Sequence, residues 1–152
     1  MSQTLTHPVS FAAVLFAGLI GGLLLGTAIE QHTLKVLSGA SWIIARHSTD
    51  AVFSKLLPWL WNATLLLLFA ATYLNHGSAR WLFLSAALLL LFGIVVTLVI
   101  EVPMNKQIAL WDAAAVPPQW AAIRDRWLAF HNVRTVAGVC AFVCALSGFA
   151  TR

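Results

Sequence analysis

The chain has 152 residues, 61% of them hydrophobic and only 9% charged, with a formal net charge of +4 and a mean hydropathy of +0.88. A soluble domain of this length is about a quarter charged, so the composition excludes an ordinary soluble enzyme and places the chain among membrane proteins. No basic helix points to nucleic acid, and the positive charge has a membrane explanation.

Four stretches carry no Asp, Glu, Lys or Arg: 1–29, 56–79, 81–100 and 135–151. About 20 apolar residues cross a hydrocarbon core of ~30 Å; the fourth stretch is short and borrows from 127–133. The predicted fold is all-α: a single domain over 1–152, built as a four-transmembrane-helix bundle. Its helices lie near 9–30, 41–75 with a kink near 58, 80–115 with a bend near 103, and 118–150. They extend beyond the bilayer on the charged side.

The first ten residues contain no Lys or Arg, so the positive region of a cleaved signal is missing and the first helix is expected to persist. That helix carries Gly18, Gly22 and Gly26, spaced four apart, with Gly21 beside them. Small residues at this spacing let another helix approach closely in lipid. The strip suits an internal contact or a homo-oligomer, or leaves room for a flat ligand. His7 near the start is expected to be a solvated loop residue.

Ser38-Gly39 breaks the chain, and Ser41 to Lys55 is amphipathic, with Trp42, Arg46 and Asp50 on one side. Pro58 kinks the helix that follows or marks its first turn. Trp42, Trp59, Trp61 and Trp81 fit interfacial aromatic belts. Asn75-His76-Gly77-Ser78 is a short turn, so the second and third helices are antiparallel neighbours, and His76 is expected to be solvated there. The third helix meets Pro103 just after Glu101. Asn105, Ile108, Trp111 and Asp112 follow at helical spacing, and Pro117-Pro118 punctuates the chain. Pro118 suits the first position of the last helix because it needs no donor there.

From Pro118 to Phe149 only two glycines interrupt the pattern. Such a helix is about 48 Å long, more than the ~30 Å core. Trp120, Arg124, Trp127, His131 and Arg134 fall within about 80° of arc on it. Cys140 and Cys144 are four apart on the same helix and cannot easily reach disulfide geometry there. They read as buried small apolar residues, with a redox pair or metal site as the alternative.

With four crossings both termini share one side. The other side holds all five acids and seven of the nine bases; Arg80 and Arg152 are the exceptions. The positive-inside rule makes that charged side cytoplasmic, in a bacterial inner membrane.

The segment from Glu101 to Arg134 gathers acid, amide, indole, imidazole and guanidinium groups between two apolar runs. Ionisable groups at a membrane helix are costly and mark sites more often than scaffolds. Arg126 and Lys106 fit snorkelling to head groups, and Arg124 and Arg134 either snorkel or turn inward. Glu101 either forms a structural ion pair with Arg124 or Arg134 or serves as an acid, base or ligand. Asn105 caps the bent backbone at Pro103 or orients a substrate. Metal candidates are Glu30, His32, His47, Asp50, Glu101 and His131. The Glu-x-x-His pairs of a di-iron bundle are absent, but a His/His/carboxylate site using His47, His131 and Glu101 or Glu30 stays open. So does haem between His47 and His131.

Glu101-x-Pro103-x-Asn105-x-x-Ile108-x-x-Trp111 followed by Pro118-x-Trp120-x-x-x-Arg124-x-x-Trp127-x-x-x-His131-x-x-Arg134 resembles the signature of the anthrone-oxygenase-like family of small four-helix membrane proteins. The resemblance is specific over 101–142 and extends more loosely over 46–58. It implies an oxygenase that oxidises a flat lipophilic aromatic, of anthrone or quinol type, with O₂. His131 would be the base, oriented by Glu101 or His47. Arg124 and Arg134 would hold the enolate or peroxide charge. Trp111, Trp120 and Trp127 would contact the rings, and Asn105 would orient the substrate. The cofactor is left open between none, a metal ion and haem. Two readings compete with it: a metal- or haem-dependent membrane oxidoreductase using His47 and His131, and a non-catalytic membrane partner or assembly protein. A transporter is disfavoured because the first three helices lack ionisable groups at mid-membrane.

Overall fold

The computed structural model describes residues 2–151; Met1, and with it Arg152 on the terminal side, falls outside the described residues. The described residues are mainly helical, joined by short turns, and no strand occurs among them. Helix α1 spans Ser2–Thr33, α2 Gly39–Leu74, α3 Gly77–Val96, α4 Val102–Ala109 and α5 Trp120–Ala150. A 3₁₀ turn, Leu34–Val36, follows α1, and a π-turn, Thr97–Glu101, joins α3 to α4 without a break. Among the described residues, four helical segments are long and apolar enough to cross a membrane: Leu5–Val36, Gly39–Leu74, Gly77–Ala109 and Trp120–Ala150.

The segments form a square in chain order. Helix α5 packs on α1 and α3, and α2 packs on the same two from the other side, so α2 and α5 face each other diagonally. At 1.5 Å per residue, the 36 residues of α2 reach about 54 Å, so α2 and α5 both overrun the hydrocarbon core. The outer surface is apolar. Phe11, Leu15, Leu66, Phe92, Val136 and Val143 are all exposed, as a lipid-facing bundle requires.

The glycines divide by role. A Cβ on Gly21 would sit 3.4 Å from the Gly138 carbonyl oxygen, and one on Gly138 would meet Leu24 at 2.7 Å. Here α1 and α5 approach backbone to backbone. Gly22 and Gly26 face open space instead, so only part of the glycine strip serves this internal contact.

Several boundaries differ from the sequence expectation. Helix α1 begins by Ser2, so His7 is helical, and its ring meets Phe149 edge-on at 5.3 Å. Pro58 lies inside a continuous α2. The third segment ends at Ala109, short of 115, and its irregularity precedes Pro103. There the Val102 N–H bonds the Thr97 carbonyl, five residues back. Pro103 has no N–H and crowds the carbonyl four residues earlier, and a widened turn accommodates both effects. The last helix starts at Trp120 because the Trp120 N–H closes a turn on Pro117 O, leaving Pro118 outside. Trp42 and Trp61 are buried, whereas Trp59 and Trp81 are exposed as a belt would need. Cys140 is exposed on the outer face of α5.

Candidate functional site

The polar residues of α5 divide at its first turn and a half. Trp127, His131 and Arg134, at spacings of four and three, turn into the bundle; Trp120 and Arg124 stay at the periphery. Trp127 and His131 stack with ring centroids 4.8 Å apart and planes 12° apart. The His131 Nε2 lies 3.1 Å from the Leu24 carbonyl of α1. A carbonyl only accepts, so Nε2 carries the hydrogen and Nδ1 presents its lone pair. Arg134 uses that lone pair: its Nε and Nη2 lie 3.1 and 2.9 Å from Nδ1. Thr135 also donates to Leu24 O, at 3.3 Å. The Gly21–Gly138 approach brings this carbonyl within reach.

Arg134 is in turn anchored on the π-turn. Its Nη1 donates to Thr97 Oγ1 at 3.0 Å and pairs with Glu101 Oε2 at 2.6 Å. Glu101 is 1% exposed, and its Oε1 has no hydrogen-bond partner, with His131 Nδ1 3.8 Å away. The two ends of the π-turn therefore grip one guanidinium.

A second guanidinium comes from α2. Arg46 Cζ lies 4.1 Å from the Trp127 ring centroid, a cation–π contact in a desolvated setting. Asn105 joins the layers: its Oδ1 accepts from Arg46 Nη2 and from Trp127 Nε1, both at 2.9 Å. Its Nδ2 faces Asp50 Oδ1 at 3.4 Å. Arg46 Nη2 is 3.7 Å from the same Asp50 oxygen, and Arg46 Nε has no partner.

These groups form one end of a cavity of about 490 Å³, within the size range of small-molecule sites. Arg46, Asp50, Thr97, Asn105, Trp127 and Arg134 form its polar end; Leu23, Phe53, Leu57, Trp61, Ile94 and Leu98 line the apolar remainder. Exposed Ser54, Pro58, Asn62 and Leu98 mark its rim. A smaller cavity of about 250 Å³ shares Arg46, Asp50 and Asn105 and adds His47.

The residues singled out from sequence fall into three groups. Arg134, Asn105 and Trp127 line the large cavity. Glu101 and His131 stand behind Arg134, with His131 fully buried and both ring nitrogens engaged. The others lie elsewhere. Arg124 bonds Asp125 and Lys35 O and covers Trp120, which packs on Trp42; Trp111 packs in the same apolar cluster. Glu30 is exposed, and His47 Nε2 bonds Ile108 O at 3.0 Å. Among the described residues no group of three or more His, Cys, Asp or Glu is placed to hold a metal ion. Arg46, Thr97 and the Leu24 carbonyl were missed as site groups. The shared side of Trp42, Arg46 and Asp50 was the available signal for the first, and the Gly21–Gly138 approach for the last.

No curated protein and no solved structure matches the chain. The model of one family does: anthrone oxygenase, over residues 45–144. The match runs from the residue before Arg46 to beyond Arg134, so it takes in both guanidiniums, the π-turn and Asn105. It covers well over half of the chain, which therefore belongs to the anthrone oxygenase family.

Proposed function

We propose that this protein is a membrane oxygenase that converts a flat lipophilic aromatic, of anthrone or quinol type, to a quinone with O₂. The carrying observation is the amphiphilic cavity, apolar at Trp61, Leu57 and Ile94 and polar at Arg46, Asp50, Asn105 and Arg134. Such a shape takes a tricyclic ring system with its oxygen at the polar end. Exposed Pro58 and Leu98 at the rim make lipid the natural source of the substrate, and the positive-inside rule puts the polar end toward the cytoplasm.

The cavity lining supports the following roles. Asp50 is the carboxylate in it, so Asp50 is the base that takes the proton from the acidic C–H. His131, whose Nδ1 is engaged by Arg134, positions that guanidinium and does not itself meet the substrate. The electron pair left on carbon delocalises onto the substrate oxygen, held by Arg134 in a low-dielectric setting. One electron then passes to O₂, and the two radicals combine to form a C–O bond. The peroxide takes a proton back from Asp50. The O–O bond breaks, the second hydrogen of the carbon leaves as a proton, and water departs. In balance, a CH₂ group and O₂ give a carbonyl and water.

The test is conversion of anthrone to anthraquinone by the detergent-purified chain in air, measured above the rate of empty micelles. Asp50→Asn and Arg134→Gln are expected to lower that rate at least 100-fold while the helical circular dichroism persists. A wild-type rate equal to that of empty micelles sinks the reading. Metal content and the visible spectrum of the same preparation separate this route from a metal- or haem-dependent one.

A further inference from the structure

We infer that the cavity takes its ligand as a monoanion, the ionised form of a flat, weakly acidic aromatic, and that Arg46 supplies the charge that selects it. The inference rests on the flat-aromatic reading above and adds the ionisation state and the residue responsible.

Charge placement leads to it. Two guanidiniums at the polar end are almost fully buried, Arg46 at 5% and Arg134 at 6% exposure. One carboxylate, Glu101 at 1%, is equally buried, and it is committed to Arg134 in direct contact. Two buried cations against one buried anion leave one positive charge. Asp50 compensates it poorly: its side chain is 36% exposed, and its oxygen stays 3.7 Å from Arg46, beyond hydrogen-bonding distance. The hydrogen bond that Arg46 does make goes to the neutral amide of Asn105. Its Nε is buried with no partner. Lys106 adds another cation at the exposed edge of the same cavity.

A buried, under-compensated cation is costly in isolation. A protein that retains one beside an apolar cavity gains most from an anionic occupant. Stacking on Trp127 and the Asn105 bond hold Arg46 in place before any ligand arrives, so little reorganisation opposes binding. Neutral lipids and neutral quinones would leave the charge unanswered. An aromatic with an acidic hydroxyl answers it by giving up that proton to water on binding, which leaves the C–H proton for Asp50.

The ionisation of a bound hydroxyanthraquinone is visible, because phenolate and phenol absorb at different wavelengths. The probe is 2-hydroxyanthraquinone, with 2-methoxyanthraquinone as a control that cannot ionise. Each is titrated into the full chain in non-ionic detergent, at a pH where the ligand in empty micelles is the neutral phenol. The wild-type protein is expected to show the phenolate band and to bind the hydroxy compound at least tenfold tighter than the methoxy one. Arg46→Lys keeps the charge and should keep the band. Arg46→Gln should lose both the band and the preference. If wild-type protein binds the hydroxy compound as the neutral phenol, or Arg46→Gln retains the band, the inference is overturned while the flat-aromatic reading stands. If neither compound binds, that reading falls and the inference with it. Should Arg46→Gln not fold, the wild-type spectrum decides the ionisation state, and Arg46→Met, which should lose the band in the same titration, decides the residue.

Discussion

At the terminal end of the bundle, α1, α2, α3 and α5 meet through Ala13, Ala17, Leu68, Ala86, Ala87 and Ala145, all at 0–1% exposure. At the charged end α2, α4, α5 and the π-turn meet through Arg46, Glu101, Asn105, Trp127, His131 and Arg134, and α1 joins through the Leu24 carbonyl. The first end follows what lipid permits: apolar burial gains little there, and small residues win contact by close approach. The second is a hydrogen-bonded layer around a cavity of about 490 Å³. It could have been packed with alanine too. On the proposed reading, polar groups kept around a cavity serve a ligand at that end, while close packing serves stability at the other.

The sharpest way to break this contrast is Arg134→Met. It strands the Glu101 carboxylate in a buried site, which costs about 3–5 kcal/mol, and removes the guanidinium from the cavity wall. Unfolding in mixed micelles should shift by that amount and turnover should vanish. Adding Glu101→Leu should restore most of the stability and none of the turnover. An unshifted unfolding curve for Arg134→Met would show that the ion pair is not what holds the π-turn.

His131→Leu comes next. It deprives Arg134 of the Nδ1 acceptor and the Leu24 carbonyl of a donor, for about 1–3 kcal/mol. Misplacing a positioned group by about 1 Å can lower turnover about 100-fold. The loss should fall on kcat, with KM little changed, because His131 touches Arg134 and not the cavity. A purely structural histidine would leave kcat intact in the folded fraction, and that result would return Arg134 to the status of an independently held residue.

The bundle itself was legible from four uncharged stretches, because only helices and closed barrels satisfy the backbone in lipid. The site was legible in part. Helical periodicity placed Trp120, Arg124, Trp127, His131 and Arg134 on one arc, but periodicity cannot say where along α5 the neighbouring helices end. Beyond that point Trp120 and Arg124 meet Trp42 and Lys35 instead of the cavity. The π-turn was hidden for a related reason. Pro103 announces an irregularity, and only the register of the Val102 N–H shows that the turn before it widens. The link between Leu24 O and His131 was illegible because a backbone carbonyl carries no sequence signal. Gly21 and Gly138 mark the approach without naming what it serves.

Two smaller substitutions test the quiet end. At Gly148 a Cβ would meet Leu82 Cβ and the Phe83 ring, each at 3.2 Å, so Gly148→Val should push α5 from α3 and cost about 1–3 kcal/mol. Its kcat should stay at the wild-type value, since Gly148 lies on the end of α5 away from the cavity. A fall in kcat as large as that in stability would mean that the two ends are mechanically coupled and the contrast is overdrawn.

The smallest effect is expected at Ser10. Asn75 is buried at the turn between α2 and α3, and its Nδ2 donates to Ser10 Oγ at 2.9 Å and to Ala71 O at 2.8 Å. Ser10→Ala removes the first acceptor and leaves the second. Hydrogen bonds between helices in membranes average about 0.6 kcal/mol, so the unfolding midpoint should move only slightly and kcat not at all. Asn75→Leu removes the donor as well, and the double variant should be no less stable than Ser10→Ala alone. A loss of several kcal/mol from Ser10→Ala would show that the terminal end, too, is held by polar contacts. The polar layer around the cavity would then no longer be distinguished by its chemistry, and the cavity alone would mark the site.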